Sequence, residues 1–157
     1  MKYMKTIGYV LLAVLFVSTV PYAAEAANIK IQPHQLKPVD PGNPYNYQEP
    51  AHMKGDGGQA SYYAVVSLPV GKTITQLTFH HRNDAAVGSV ATLHRTKFGQ
   101  IGEEMARQNT TQDTDDDIVP ISTTDINLPK VKAGYTYHVR VTAGNGNFIH
   151  GVIVRYQ

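Results

Sequence analysis

From residue 60 onward, the chain consists of short runs of β-branched and aromatic residues separated by Gly, Pro, Asn and Asp. The run TITQLTFHH, residues 73–81, is typical. Such side chains pack well on a pleated surface, so each run favours a β-strand. No stretch keeps the 3.6-residue period that predicts a helix. Seven or eight runs, spaced by about 8 to 12 residues, predict an all-β antiparallel β-sandwich of jelly-roll type.

Residues 1–26 are predicted to be a secretory signal peptide. Two lysines precede an apolar run over residues 7–20, and the Ala-Glu-Ala of residues 24–26 fits a cleavage site. The apolar run is shorter than the roughly 20 residues that a spanning helix needs. We therefore expect a mature chain, residues 27–157, that is secreted to the periplasm or the outside of the cell. It would have no membrane span after cleavage.

Residues 27–59 differ in composition from the rest of the mature chain. They contain five prolines and the sequence GDGG, and this density of Pro and Gly interrupts both helices and strands. We expect a Pro/Gly-rich arm or loop in front of a β-sandwich domain over residues 60–157. The one candidate strand in it is NIKIQ, where Ile29 and Ile31 alternate with polar residues.

Composition excludes several classes of function. The chain has no Cys, so disulfides, thiolate metal ligands and thiol nucleophiles are excluded. Without the signal peptide the net charge falls from +2 to +1, and Lys and Arg do not cluster, which argues against nucleic-acid binding. The sequence contains no G-x-S-x-G, P-loop or H-E-x-x-H motif. We therefore expect a protein that is not an enzyme and has no cofactor; Ca²⁺ and Zn²⁺ are the two ions for which candidate ligands exist.

The last two runs, YTYHVRVTA and FIHGVIVRY, predict a hairpin about Asn145-Gly146, because an Asn-Gly pair suits a two-residue turn. The register of that hairpin segregates an apolar face from a mixed, mostly solvent-facing one. The predicted core face holds Tyr135, Tyr137, Val139, Val141, Phe148, Val152, Val154 and Tyr156. The predicted outer face holds Thr136, His138, Arg140, Thr142 and Arg155, with Ile149 and Ile153.

Three histidines, His80, His94 and His138, are candidate zinc ligands if their strands lie side by side on an exposed sheet face. Adjacent residues of a strand point to opposite faces, so His80 and His81 cannot bind one metal without a bulge. His81 shares its face with apolar residues. The spacings match no common zinc motif. The alternative is that these side chains are solvated or lie at the edge of the core.

Asp113, Asp115 and Asp117 are candidate Ca²⁺ ligands, since carboxylates are hard oxygen ligands. An EF-hand is excluded, because its loop would need Gly and Glu where Ile118 and Thr124 stand. The alternative is a solvated acidic loop that protects the neighbouring strand from aggregation.

Turn residues and core residues follow one another along residues 68–156 in an order that is informative. An apolar strand ends in Leu-Pro, a Gly turn leads to an Ile-Thr strand, and an Asn-Asp turn leads to a strand ending in Leu-x-Arg. The residues are Leu68-Pro69, Gly71, Ile74-Thr75, Asn83-Asp84, Leu93-His94-Arg95, Tyr135-Thr136-Tyr137 and Gly151 to Tyr156. With these, residues 60–157 resemble a diffuse group of secreted bacterial β-sandwich proteins of largely unknown function. The chain departs from the pattern at Val70 and Lys72. The resemblance implies a fold and supplies no catalytic residues.

These observations favour a secreted, non-catalytic module for binding or for cell-surface structure. Its partner would be an extracellular or envelope glycan, or a protein, bound by surface loops. One alternative is a self-assembling subunit whose N-terminal arm adds a strand to the sheet of a neighbouring copy. Another is a small secreted hydrolase, which would need convergent polar groups in one pocket.

Overall fold

A computed structural model describes residues 26–40, 42, 45–48, 52–55, 59–82, 87–110, 117–144 and 146–157. Within these ranges the regular structure is β, apart from one 3₁₀ turn at Pro33–Gln35. The strands are β1 (Ala27–Ile31), β2 (Lys37–Pro38), β3 (Tyr45–Gln48), β4 (His52–Gly55), β5 (Ala60–Val66), β6 (Ile74–Arg82), β7 (Val90–Lys97), β8 (Glu103–Asn109), β9 (Val119–Thr123), β10 (Tyr135–Ala143) and β11 (Phe148–Tyr156). None of the described residues lies in a helix of the length and apolarity that crossing a membrane requires.

The strands form two antiparallel sheets, which confirms the predicted β-sandwich. The first sheet has the order β3-β4-β11-β6-β9, with β1 also paired to β11. The second sheet has the order β2-β5-β10-β7-β8. Residues 60–157 supply seven strands, as their turn spacing predicts, and the other four come from the segment before them.

The described part of residues 27–59 adds strands to both sheets. β1, the predicted short strand, pairs with β11 along its whole length, from Ala27 opposite Tyr156 onward. Leu36, which follows the 3₁₀ turn after β1, is buried in the core. Pro38 lies in β2 at the edge of the second sheet. Proline has no N–H to donate, and at a sheet edge this interrupts no hydrogen bonding between strands. In this segment Ile31, Leu36 and Met53 are buried in the core, whereas Val39 is exposed.

The hairpin predicted for β10 and β11 is wrong, because the two strands belong to different sheets. β10 lies between β5 and β7, whereas β11 pairs with β1, β4 and β6. Two strands with apolar faces can meet across a core as readily as side by side, so the pattern did not separate the two arrangements. Five of the predicted core residues are nevertheless buried in one core: Tyr137, Val139, Val141, Val152 and Val154.

A bulge in β11 exchanges the predicted faces of Phe148 and Ile149. The pairing with β6 skips one residue between Ile149 and Gly151, so the alternation of faces shifts there. Ile149 is part of the core cluster, whereas Phe148, although only 5% exposed, lies outside that cluster with its ring centroid 4.0 Å from Cζ of Arg82. Gly151 has a φ of 139°, and a Cβ there would lie 2.8 Å from the Ile31 carbonyl oxygen. Glycine is therefore required at the bulge.

Candidate functional site

The outward surface of the second sheet carries a set of polar and aromatic side chains. Along β10, Val139 and Val141 point into the core, so His138 and Arg140 point to solvent. The same alternation applies to the neighbouring strands. We call this surface the binding face; its residues are Ser61, Tyr63 and Val65 of β5, Thr136, His138, Arg140 and Thr142 of β10, Val90, Thr92, His94 and Thr96 of β7, and Glu104 and Arg107 of β8.

Strand register arranges these side chains in two rows across the face. In one row, Arg140 lies opposite Tyr63 on one side and Thr92 on the other. In the next row, His138 lies between Val65 and His94. β8 extends both rows, since Arg107 pairs with Thr92 and Glu104 pairs with His94. The face therefore presents apolar surface on the β5 side and charged groups on the β8 side.

Two hollows lie on the binding face, and Arg140 lines both. The larger, of about 480 Å³, is lined chiefly by Val39, Tyr63, Val65, His138 and Arg140. Val39 and Val65 are more than half exposed, and Tyr63 is 38% exposed. The smaller hollow, of about 290 Å³, includes His94, Glu104, Arg107 and Thr142. A ligand several residues long could therefore lie across the sheet in both hollows, with Arg140 between them.

Arg140 keeps hydrogen-bonding capacity for a ligand. Its Nη2 donates to Ser61 Oγ at 3.1 Å, and that hydroxyl lies 2.9 Å from Thr142 Oγ1. Within the described ranges, no carboxylate forms an ion pair with Arg140. A guanidinium has five N–H donors, so most of them remain available at the centre of the face.

Arg107, in contrast, is already paired. Its Nε and Nη2 donate to the two carboxylate oxygens of Glu104, at 3.0 and 2.6 Å. This hydrogen bonding lowers the pKa of Glu104 and raises the pKa of Arg107. Both groups are therefore charged at neutral pH and largely compensate each other.

His94 and His138 form a stacked pair in the middle of the face. Their ring centroids are 5.2 Å apart and the planes are 8° from parallel. Burial lowers the pKa of both imidazoles, and the positive charge of Arg140 adds to this effect. Glu104 acts in the opposite direction on His94 and only partly offsets it. His94 Nε2 lies 2.8 Å from Thr92 Oγ1, which fixes the orientation of one ring.

The structure brings together two of the three candidate zinc ligands. His94 and His138 are neighbours, but His80 lies on β6, in the other sheet. There it shares a hollow of about 170 Å³ with Lys30 and His150. Burial, with a smaller contribution from the Lys30 charge, lowers the pKa of His80. No group of three or more His, Asp or Glu side chains among the described residues is placed to hold a metal ion.

The other predicted residues lie apart from the binding face. Asp113 and Asp115 lie outside the described residues, and Asp117 is exposed at a bend before β9. His81 is 2% exposed and its ring centroid lies 5.2 Å from that of Phe79, so it is a core residue, as its position on the apolar face predicts. His80 and His81 thus lie near the end of β6 and point to opposite sides of the sheet.

Sequence reasoning missed Tyr63 and did not assign Arg140 to a site. Both had a signal. In ASYYAVV, burial of Tyr62 on one face requires the adjacent Tyr63 to be on the other. Arg140 stands in the middle of an alternating strand, where its side chain had to be exposed. What the sequence lacked was the strand order that brings these two residues together.

Comparison with known proteins gives a structural likeness only. No protein-family model and no curated protein matches the chain. Solved structures with a similar fold include the C-terminal CBM6 of LamC, a marine laminarinase from Zobellia galactanivorans, with TM-score 0.58, 9% identity, and 82% of this chain and 98% of that chain covered. Another is the CBM36-1 domain of a xylanase from the hindgut metagenome of Trinervitermes trinervoides, with TM-score 0.55, 11% identity and coverages of 82% and 96%. A third is a carbohydrate-binding module of Cellvibrio mixtus lichenase 5A in complex with cellotriose, with TM-score 0.53, 10% identity and coverages of 80% and 95%.

Proposed function

We propose that this chain is a secreted, non-catalytic carbohydrate-binding module whose ligand lies along the binding face. The observation that carries the proposal is the larger hollow, where an exposed tyrosine ring adjoins a guanidinium without a carboxylate partner among the described residues. The sandwich fold, which the chain shares with solved carbohydrate-binding modules, is consistent with this function.

The chemistry of the hollow suits a sugar. The ring of Tyr63 offers a flat apolar surface to the C–H side of a pyranose, and Val39 and Val65 extend that surface. Arg140 offers several N–H donors to ring hydroxyls. His138, as a neutral imidazole, can both donate and accept a hydrogen bond. Apolar surface with a few directed polar groups is the general composition of a small-molecule site.

Among the described residues, the binding face lacks the groups that glycoside hydrolysis needs. That reaction usually requires two carboxyl groups about 5 to 9.5 Å apart on either side of the scissile bond. Glu104 is the one carboxylate of the binding face, and Arg107 holds it in a bidentate ion pair that keeps it ionised. This arrangement supports binding without catalysis.

Binding to polysaccharides tests the proposal directly. Residues 27–157, which contain β1 to β11, would be run in native gels containing β-glucan, xylan, mannan or a polyuronate. We expect retardation by at least one of them. Tyr63→Ala and Arg140→Ala should each weaken binding by tenfold or more, equal to about 1.4 kcal/mol. Phe98→Ala removes an exposed aromatic ring away from the face and is the matched control. Unchanged binding in both face variants would refute the site, and no binding to any glycan would refute the function.

Export is part of the same proposal. The signal-peptide pattern of residues 1–26 supports it. Mass spectrometry of the protein recovered outside the cytoplasm should give a mature chain that begins at Ala27. A protein that retains residue 1 in the cytoplasm would contradict export.

A further inference from the structure

One end of the sandwich exposes apolar side chains that are unrelated to the binding face. Phe98 and Ile101, in the β7–β8 turn, are 102% and 95% exposed. Val70, in the β5–β6 turn, is 65% exposed, and Leu128 is 41% exposed. We call this region the apolar end. Isolated exposed apolar residues are common, but a group of them on one surface marks an interaction site.

Backbone pairing places these segments at the same end. The N–H of Gly71 donates to the Val131 carbonyl at 2.9 Å, and the N–H of Val131 donates to the Lys72 carbonyl at 2.8 Å. Lys97, at the start of the β7–β8 turn, lies opposite Tyr135 at the start of β10. The two turns and residues 128–132 therefore lie at the same end of the sandwich as the first residues of β10.

The geometry of the β7–β8 turn does not require a phenylalanine at position 98. The N–H of Gln100 donates to the Lys97 carbonyl at 3.0 Å, and Gly99 has a φ of 75°. Position 99 therefore needs glycine, whereas position 98 accepts most residues. A phenylalanine there adds nothing to the core, and it presents a large apolar side chain at the tip of the hairpin.

Lysines occur in all three segments that form the apolar end. Lys72, Lys97, Lys130 and Lys132 are all exposed in the three segments that form the apolar end. The nearest carboxylate of β8, Glu103, already pairs with Arg95 at 2.6 Å. The apolar end therefore combines protruding apolar tips with an excess of positive charge.

We propose that the apolar end binds the surface of an anionic lipid bilayer, with Phe98 and Ile101 inserted among the acyl chains. Apolar side chains that enter the headgroup boundary, together with lysines near an anionic surface, are the two contributions that hold peripheral proteins on membranes. A two-fold contact between copies fits less well, since it would bring the same patch of lysines face to face.

Vesicle sedimentation with residues 27–157 tests the proposal. Vesicles of phosphatidylcholine alone would be compared with vesicles containing about one third phosphatidylglycerol. We expect co-sedimentation with the anionic vesicles only, and at least a tenfold loss in the Phe98→Ser/Ile101→Ser variant. Lys97→Gln/Lys132→Gln should weaken binding and reduce its dependence on salt. Val87→Ser, at the opposite end of the sandwich, is the matched control and should bind as the unaltered protein does.

The result that overturns the proposal is equally specific. Failure of the unaltered protein to sediment with either vesicle, or equal binding by the Phe98→Ser/Ile101→Ser variant, would refute it. Dimers detected by analytical ultracentrifugation, and lost in that variant, would instead assign the apolar end to self-association. Polysaccharide retardation of the same variant separates this test from the proposed function, because the binding face is unaltered.

Discussion

The imidazole rings of His94 and His138 stack across β7 and β10, with centroids 5.2 Å apart. Burial and the nearby guanidinium of Arg140 hold the pKa of both below the ordinary value of 6.5. Two neutral rings can stack without repulsion, whereas two protonated rings at this distance would repel each other. The centre of the binding face is therefore built for a neutral state of both histidines.

This pair predicts a loss of stability in mild acid. Below pH 6.5 the unfolded chain takes up protons that the folded pair resists, so the free energy of unfolding falls as the pH decreases. The fall continues until the folded histidines are protonated too. Urea unfolding at pH 7.5, 6.5 and 5.5 should show a smaller fall in His94→Gln/His138→Gln than in the unaltered protein. His34→Gln, an exposed position outside the sheets, is the control. An identical pH dependence in all three proteins would contradict the prediction.

The bulge in β11 predicts a large effect of a single methyl group. Gly151→Ala would place a Cβ 2.8 Å from the Ile31 carbonyl oxygen, at a φ of 139° that side chains rarely adopt. We expect a loss of about 1 to 3 kcal/mol in the free energy of unfolding. Gly71→Ala also has a positive φ, but its Cβ would meet no atom within 4 Å, so it should cost only about 1 kcal/mol. Equal losses in the two variants would show that contact with β1 is unimportant.

Core packing predicts a contrast between a core position on β6 and an exposed position on β5. Leu77 is fully buried in the core, so Leu77→Ala should lower the free energy of unfolding by about 2 to 5 kcal/mol. Val65 is 65% exposed on the binding face, so Val65→Ala should change it by no more than about 0.5 kcal/mol. Chemical unfolding monitored by tyrosine fluorescence measures both. A large loss in Val65→Ala would mean that the binding face is buried in the native protein.

Local sequence predicted the strands and the direction of most side chains. In β10, alternation alone placed Val139 in the core and Arg140 in solvent, and the structure agrees. Prediction from local sequence failed where the fold depends on pairing between strands that are distant in the chain. β10 and β11 have apolar faces that fit either a hairpin or opposite sheets, and only the full set of strand pairings selects the second. Gly151 inside a strand was a signal for a bulge that periodicity ignores.

The candidate site could not be assembled from the sequence for the same reason, because the strand pairings were unknown. His94 and His138 were recognised as residues that could meet on a sheet face, and β7 and β10 are indeed neighbours. His80 was grouped with them because its strand could not be assigned to a sheet. Tyr63 and Arg140 are 77 positions apart in the chain, and no local pattern joins them.

The measurement that tests the account most directly is an NMR titration of ¹⁵N-labelled residues 27–157 with an oligosaccharide of the polysaccharide that retards it, or with cellotriose first. We predict that the amide signals of β5, β7 and β10 shift, centred on Tyr63, His138 and Arg140, while those of β6 and β11 do not. Shifts confined to the first sheet or to loops away from the binding face would contradict it, as would the absence of any shift with every sugar tested.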